Sequence, residues 1–130
     1  MIDIRVITES DYELLCEWWR AWGWKPPNKE FLPDCGMMVS DGDIPICAAY
    51  LYATNSKVAW CEWVISNKEY KNKKNRKFAL NLLLQTLTNI AQNSGFRYVY
   101  TILKHEGLIK VYEEVGYVKG STGIEMIKIL

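Results

Sequence analysis

The sequence predicts one α/β (α+β) domain: a mixed, mostly antiparallel sheet with helices on both faces. Three observations carry this. Apolar residues switch along the chain between the two-residue period of strands and the 3.6-residue period of helices, in the order β, α, three β, α, β, α, β. Short turns separate the three middle strands, which favours an antiparallel meander, whereas a right-handed crossover joins the strands flanking the longest helix and makes them parallel. Finally, 130 residues with 49% apolar and 24% charged side chains suffice for a single core without disulfide or metal, and no linker or repeat divides residues 1–130.

Alternation over residues 2–7 reads as the first strand. Thr8 reads as a helix N-cap, with Asp11 placed for a capping box. The helix runs to about Trp22, with Tyr12, Leu15, Trp19 and Trp22 on one face, and Gly23 ends it. Pro26, Pro27 and Pro33 exclude a regular element over residues 25–33 and leave a surface loop. Strands follow over residues 36–40, 44–54 and 57–66, separated by the turns Asp41-Gly42-Asp43 and Thr54-Asn55-Ser56. The longest helix spans about residues 75–93, with Leu80, Leu83, Leu84, Leu87, Ile90 and Ala91 as its stripe and Gly95 as its stop. A β-rich run over 96–103 and a short helix over 106–115, stopped by Gly116, come next. Residues 117–120 and 124–130 read as a last extended stretch around a turn at 121–123.

Sixteen Lys and Arg balance fifteen Asp and Glu, so whole-molecule charge draws the protein to neither nucleic acid nor membrane. No run reaches the roughly 18–20 apolar residues of a membrane span, and the N-terminus lacks a signal-peptide layout, so an intracellular, cytoplasmic location is expected. Cysteines at 16, 35, 47 and 61 have no zinc-ribbon spacing and only one histidine to join them. They read as reduced, structural thiols, and no metal is expected.

The element order resembles that of the GCN5-related N-acetyltransferase superfamily over almost the whole chain. The run Val111-Tyr112-Glu113-Glu114-Val115-Gly116-Tyr117 is similar to the family's frequent apolar-Tyr-Glu pattern closed by Gly and Phe or Tyr. Trp63-Val64-Ile65-Ser66-Asn67-Lys68-Glu69-Tyr70-Lys71 resembles the strand end and loop that carry the cofactor. Small size and the Trp-rich first helix are similar to acetyltransferase-like proteins encoded by bacteriophages, which would place the chain in a host cytoplasm.

This resemblance implies a parallel central strand pair splayed apart, with acetyl-CoA as cosubstrate lying in the gap. Its pantetheine would pair with the backbones of Trp63, Val64 and Ile65 as an added strand does. The pyrophosphate would rest at the start of the long helix, where free N–H groups and the helix dipole attract anions. There the family has glycines, and this sequence reads Lys71-Asn72-Lys73-Lys74-Asn75-Arg76, with Lys74 and Arg76 in the glycine positions. One reading lets Lys71, Lys73, Lys74, Asn75, Arg76 and Lys77 hold the phosphates by side chain. The other makes the run a solvated basic turn beside a decayed site.

Tyr112 stands where many members use a general acid toward the departing thiolate, and it reads equally as a packed helix aromatic. His105, the one histidine, has a pKa suited to a base, or caps a helix. Glu62, between Trp60 and Trp63 on the fourth strand, is a second candidate base, or an outward carboxylate. Trp22 and Trp24, in a cluster with Trp18 and Trp19, either wall the acceptor site or belong to the core. The expected function is transfer of acetyl from acetyl-CoA to a primary amine of a small molecule or protein by direct attack. The alternative is a catalytically decayed binding module acting through a protein partner. A homodimer stays open, and the short basic run gives little support to nucleic-acid binding.

Overall fold

The alternating first residues form β1 (Ile2–Val6), and the chain then turns through a 3₁₀ segment, Glu9–Asp11, into α1 (Tyr12–Ala21) in a computed structural model that describes residues 1–130. The Thr8–Asp11 capping box forms as read, with the Thr8 N–H on the Asp11 carboxylate at 2.8 Å. Gly23 ends the helix at φ +80°, a conformation that costs glycine little and other residues more. After the Pro-rich loop come β2 (Cys35–Asp41), β3 (Ile44–Tyr52) and β4 (Val58–Ser66). Then follow α2 (Lys73–Asn93), β5 (Tyr98–Tyr100) and α3 (Glu106–Glu114).

The sheet order is β1-β2-β3-β4-β5, antiparallel through β4, with β4 and β5 parallel. Alternation along the strands divides the core into two layers. Leu80, Leu83, Leu84 and Leu87 of α2 pack with Val39, Ile46, Leu51, Ala59 and Cys61 on one face, together with Tyr112 of α3. Leu15, Trp18 and Trp19 of α1 pack with Met38, Ala48, Tyr50 and Ile65 on the other. The helices therefore cover both faces, as the sequence predicts.

Two segments differ from expectation. Only Tyr98–Tyr100 of the β-rich run becomes strand, because β4 turns away beyond that point. Residues 117–130 form no strand, so the parallel pair lies at the sheet's edge, and Val118, Ile124, Met126, Ile129 and Leu130 are almost fully exposed.

One ion pair fastens β1 to the start of α1. Both Arg5 guanidinium nitrogens, Nη1 and Nη2, donate to the Asp11 carboxylate at 2.9 Å, and that hydrogen bond holds Asp11 at a pKa of about 2. Asp11→Ala is expected to cost about 1–2 kcal/mol at neutral pH, since it removes the clamp and half the capping box. A depressed carboxylate stabilises above its unfolded pKa and loses that contribution as pH falls through the folded value. The gap between wild type and variant in denaturant titrations should narrow from about pH 4 toward pH 2. A pH-independent gap would assign the loss to packing instead.

Candidate active site

The site originates in a defect of β4. Its register against β3 jumps from Tyr50↔Glu62 to Ala48↔Ile65, so Trp63 and Val64 together oppose the single Ala49. Such a bulge bends a strand and re-aims its side chains. Trp63 sits at φ +61°, unusual for a bulky residue. Its indole holds it there: Nε1 donates to the Tyr52 hydroxyl at 2.6 Å, the ring stands edge-on to Trp19 and Phe31, and Tyr52 in turn donates to the Phe31 carbonyl. Because β4 bends, its parallel pairing with β5 covers only Val58–Trp60 and Tyr98–Tyr100, and beyond that the strands part.

Glu62 bridges the parting just past the last pair. Its Oε1 accepts from the Thr101 hydroxyl and from the Ile102 N–H at 3.2 Å. Burial raises its pKa above the ordinary carboxylate value, against the lowering effect of those two donors. Tyr112 packs against the neighbouring Cys61, 1% exposed, its hydroxyl donating to the Cys61 carbonyl at 3.3 Å and its ring edge-on to Tyr117. Burial pushes the Tyr112 phenol well above its usual value and the Cys61 thiol up to about 12, so both stay protonated.

A cleft of about 180 Å³ opens from the parting between the end of β4, the start of α2 and α3. Val64, Ile65 and Ser66 form one wall, Leu80, Leu108 and Val111 another, and Trp22, Trp24 and His105 the third. It continues into a mouth of about 310 Å³ carrying Lys73, Arg76, Lys77 and Lys110. Asn72 caps α2 by accepting from the Asn75 N–H at 3.0 Å. Arg76 folds back, Nη2 donating to the Tyr70 carbonyl, while its buried Nε has no partner.

The expected residues thus divide. Val64, Ile65, Arg76, Trp22, Trp24 and His105 line the cleft, and Lys73 and Lys77 join Arg76 at its mouth, where Lys77 pairs with Glu114 at 3.0 Å. Trp63 turns to the other face of the sheet, against Tyr52 and Phe31. Asn75 is engaged with the Tyr70 hydroxyl, Lys71 with the Lys68 carbonyl, and Lys74 is exposed. Glu62, bonded to Thr101 and Ile102 across the parting, and Tyr112, bonded to Cys61, are not among the residues of the cleft wall. His105 caps α3, its Nδ1 accepting from the Leu108 N–H at 3.3 Å. That bond uses the lone pair a base would need and leaves the neutral ring's proton on Nε2.

Sequence reasoning missed Ser66, Gly107 and Lys110. Gly107 had a signal: glycine in the first turn of a helix is unfavourable, and a Cβ there would lie 2.9 Å from the His105 ring. No group of three or more His, Cys, Asp or Glu side chains converges in a way that could hold a metal ion.

The fold is that of solved acetyltransferases, which match it over 92–100% of the chain in the three cases that follow. A Trypanosoma brucei acetyltransferase matches with a TM-score of 0.68 at 15% identity, over 98% of this chain and 100% of that one. AAC(6')-Iy, in complex with the bisubstrate analog CoA-S-monomethyl-acetylneamine, matches with a TM-score of 0.69 at 16% identity, over 100% and 99%. Neisseria gonorrhoeae N-acetylglutamate synthase, complexed with coenzyme A and L-arginine, matches with a TM-score of 0.73 at 13% identity, over 92% of this chain and 28% of that one. No sequence-family model and no curated protein matches the chain.

Proposed function

We propose that this protein is an acetyl-CoA-dependent N-acetyltransferase acting on a primary amine of a small molecule or a protein. The observation that carries the reading is the parting of β4 from β5 at a strained bulge, leading into an apolar cleft with a cationic mouth. The residues fit the cosubstrate: Val64–Ser66 offer strand-edge backbone to its amides, and Lys73, Arg76, Lys77 and Lys110 offer charge to its phosphates. Acetyl-CoA supplies an acetyl thioester to which a neutral amine adds, forming a C–N bond as the C–S bond breaks.

The chain's own groups manage the protons. Glu62, ionised, takes the proton the amine loses, directly or through water. Tyr112 stays protonated because it is buried; its one O–H, held by the Cys61 carbonyl in the free protein, would turn from that carbonyl to donate toward the departing sulfur. A thiolate with a pKa near ~8.5 is a weaker base than a phenolate held above ~10, so full proton transfer from Tyr112 is uphill. The proton that completes the thiol comes back from Glu62. His105, with Nδ1 engaged as a cap, serves as a cleft wall and Nε2 donor rather than a base.

Titration with acetyl-CoA and with CoA tests this by calorimetry and thermal shift. Saturation is expected to raise stability by about 2.7 kcal/mol at a hundred times Kd, with affinity falling as salt rises. A second reading, a binding module that has lost its cofactor, is favoured by Arg76 lying over the start of α2 where the family has glycine. A melting curve unmoved by millimolar cofactor would overturn the enzyme and support that module.

A further inference from the structure

One cleft wall occupies the place a ligand would take. Trp22 Nε1 donates to the Ser66 carbonyl at 2.8 Å, bonding the backbone at the very end of β4 that an added strand would use. The indole is half-buried and held on every side. It stacks on Trp24 with centroids 5.9 Å apart, meets the His105 edge at 6.2 Å, and lies under the Lys68 ammonium at 4.9 Å. Lys68 also donates to the Ala21 carbonyl at 3.3 Å, tying β4's exit to the end of α1. The cleft's volume of about 180 Å³ is below the ~300–1,000 Å³ usual for a ligand pocket, and these indoles form its third wall.

The two tryptophans of that wall stand outside the elements that build the rest of the cleft. The other lining residues belong to β4, α2 and α3, whereas Trp22 and Trp24 flank Gly23, whose φ of +80° marks the turn where α1 ends. Trp22 caps the end of α1 and packs partly against the α1 core layer, so its indole leaves the cleft by rotating about its own side-chain bonds while the helix end stays in place.

We propose that Trp22 is a latch on the cofactor cleft: its indole N–H satisfies the Ser66 carbonyl in the free protein and is exchanged for an amide of the incoming acyl cofactor. This inference rests on the acetyltransferase reading and adds its control to it. Ligand entry breaks one protein hydrogen bond for each it makes at Ser66, so the latch weakens binding and excludes molecules without an amide donor at that point. Ordinary solvent leaves the cleft closed, and a ligand that bonds Ser66 opens it.

The test is Trp22→Phe, which keeps an aromatic ring beside Trp24 and removes the N–H donor together with the indole's second ring. CoA is expected to bind the variant roughly 2- to 12-fold more tightly by calorimetry, the range of one net hydrogen bond. A second measurement uses the wild-type protein. Its six tryptophans give six indole N–H signals by NMR, and the one absent from the variant is Trp22. That signal is expected to exchange slowly with solvent in the free protein and to shift and exchange faster when CoA saturates the cleft. Equal or weaker binding by the variant, or an indole signal unmoved at saturation, overturns the latch while acetyl-CoA binding stands. Failure of both proteins to bind CoA overturns the latch and the acetyltransferase reading together.

Discussion

Glu62→Gln is expected to lower coenzyme release at saturating substrate by about 10²- to 10⁴-fold, the range for loss of a general base. The carboxylate stands at the point where β4 and β5 part, with Oε1 committed to Thr101 and Ile102 and Oε2 free of protein hydrogen bonds. Glutamine keeps an acceptor oxygen for both donors, so the bridge across the parting survives and only proton uptake is lost. The pH profile gives an independent reading. Burial raises the Glu62 pKa, so the wild-type rate should climb with pH through a value above the ordinary carboxylate range and then level off. Stability moves oppositely. A folded pKa raised above the unfolded one contributes stability that is full below the unfolded value and lost as pH rises through the folded one. The variant lacks that loss and should melt no lower than wild type at neutral pH. Turnover within a few-fold of wild type would reduce Glu62 to a clip between strands.

The parts of this fold legible in the sequence are those fixed by local chemistry. The α2 stripe, the Thr8–Asp11 box and the three glycine stops all appear where periodicity and capping put them, with Gly23, Gly95 and Gly116 at positive φ. What needed a partner element was not legible. The run over residues 96–103 has strand composition throughout, but strand requires a neighbour, and the bulge at Trp63 takes β4 away after three pairs. Nothing marked that bulge, since Trp is among the last residues expected at positive φ. The same holds for 117–130, whose apolar residues read as strand and find no partner.

The basic run shows how local geometry sorts a motif. Read as a loop, it offers all its cations to one ligand. Once α2 starts at Lys73, the 3.6-residue period puts Lys73, Arg76, Lys77 and Leu80 on one face, which is the face on the cleft mouth, and carries Lys74 away from it. Lys110 arrives from α3 by the same rule, beside Gly107, Val111 and Glu114. The mouth is therefore a meeting of two helix faces, a property of their packing that no single stretch of sequence contains.

Leu84→Ala is expected to carry the largest stability effect, about 2–5 kcal/mol out of the ~5–15 kcal/mol typical of a domain. Leu84 is fully buried in the layer where α2 packs on β2, β3, β4 and α3. The residues facing that layer include Ala49, Ala59, Cys47 and Cys61, small side chains that bring the helix close to the sheet. A sheet cannot bend inward to fill one missing isopropyl group, so the cavity persists and the loss should sit in the upper half of the range. Urea titration measures it as a lower midpoint at unchanged slope. Gln85→Ala, one residue on and exposed, serves as the control and should stay within about 0.5 kcal/mol. A Leu84→Ala loss under 1 kcal/mol would mean that α2 can settle toward the sheet. The cleft would then deform with it, because Leu80 belongs at once to that core layer and to the cleft wall. Stability and cofactor affinity are thus coupled through one helix, and a core variant that settles should also change CoA binding, whereas one that leaves a rigid cavity should not.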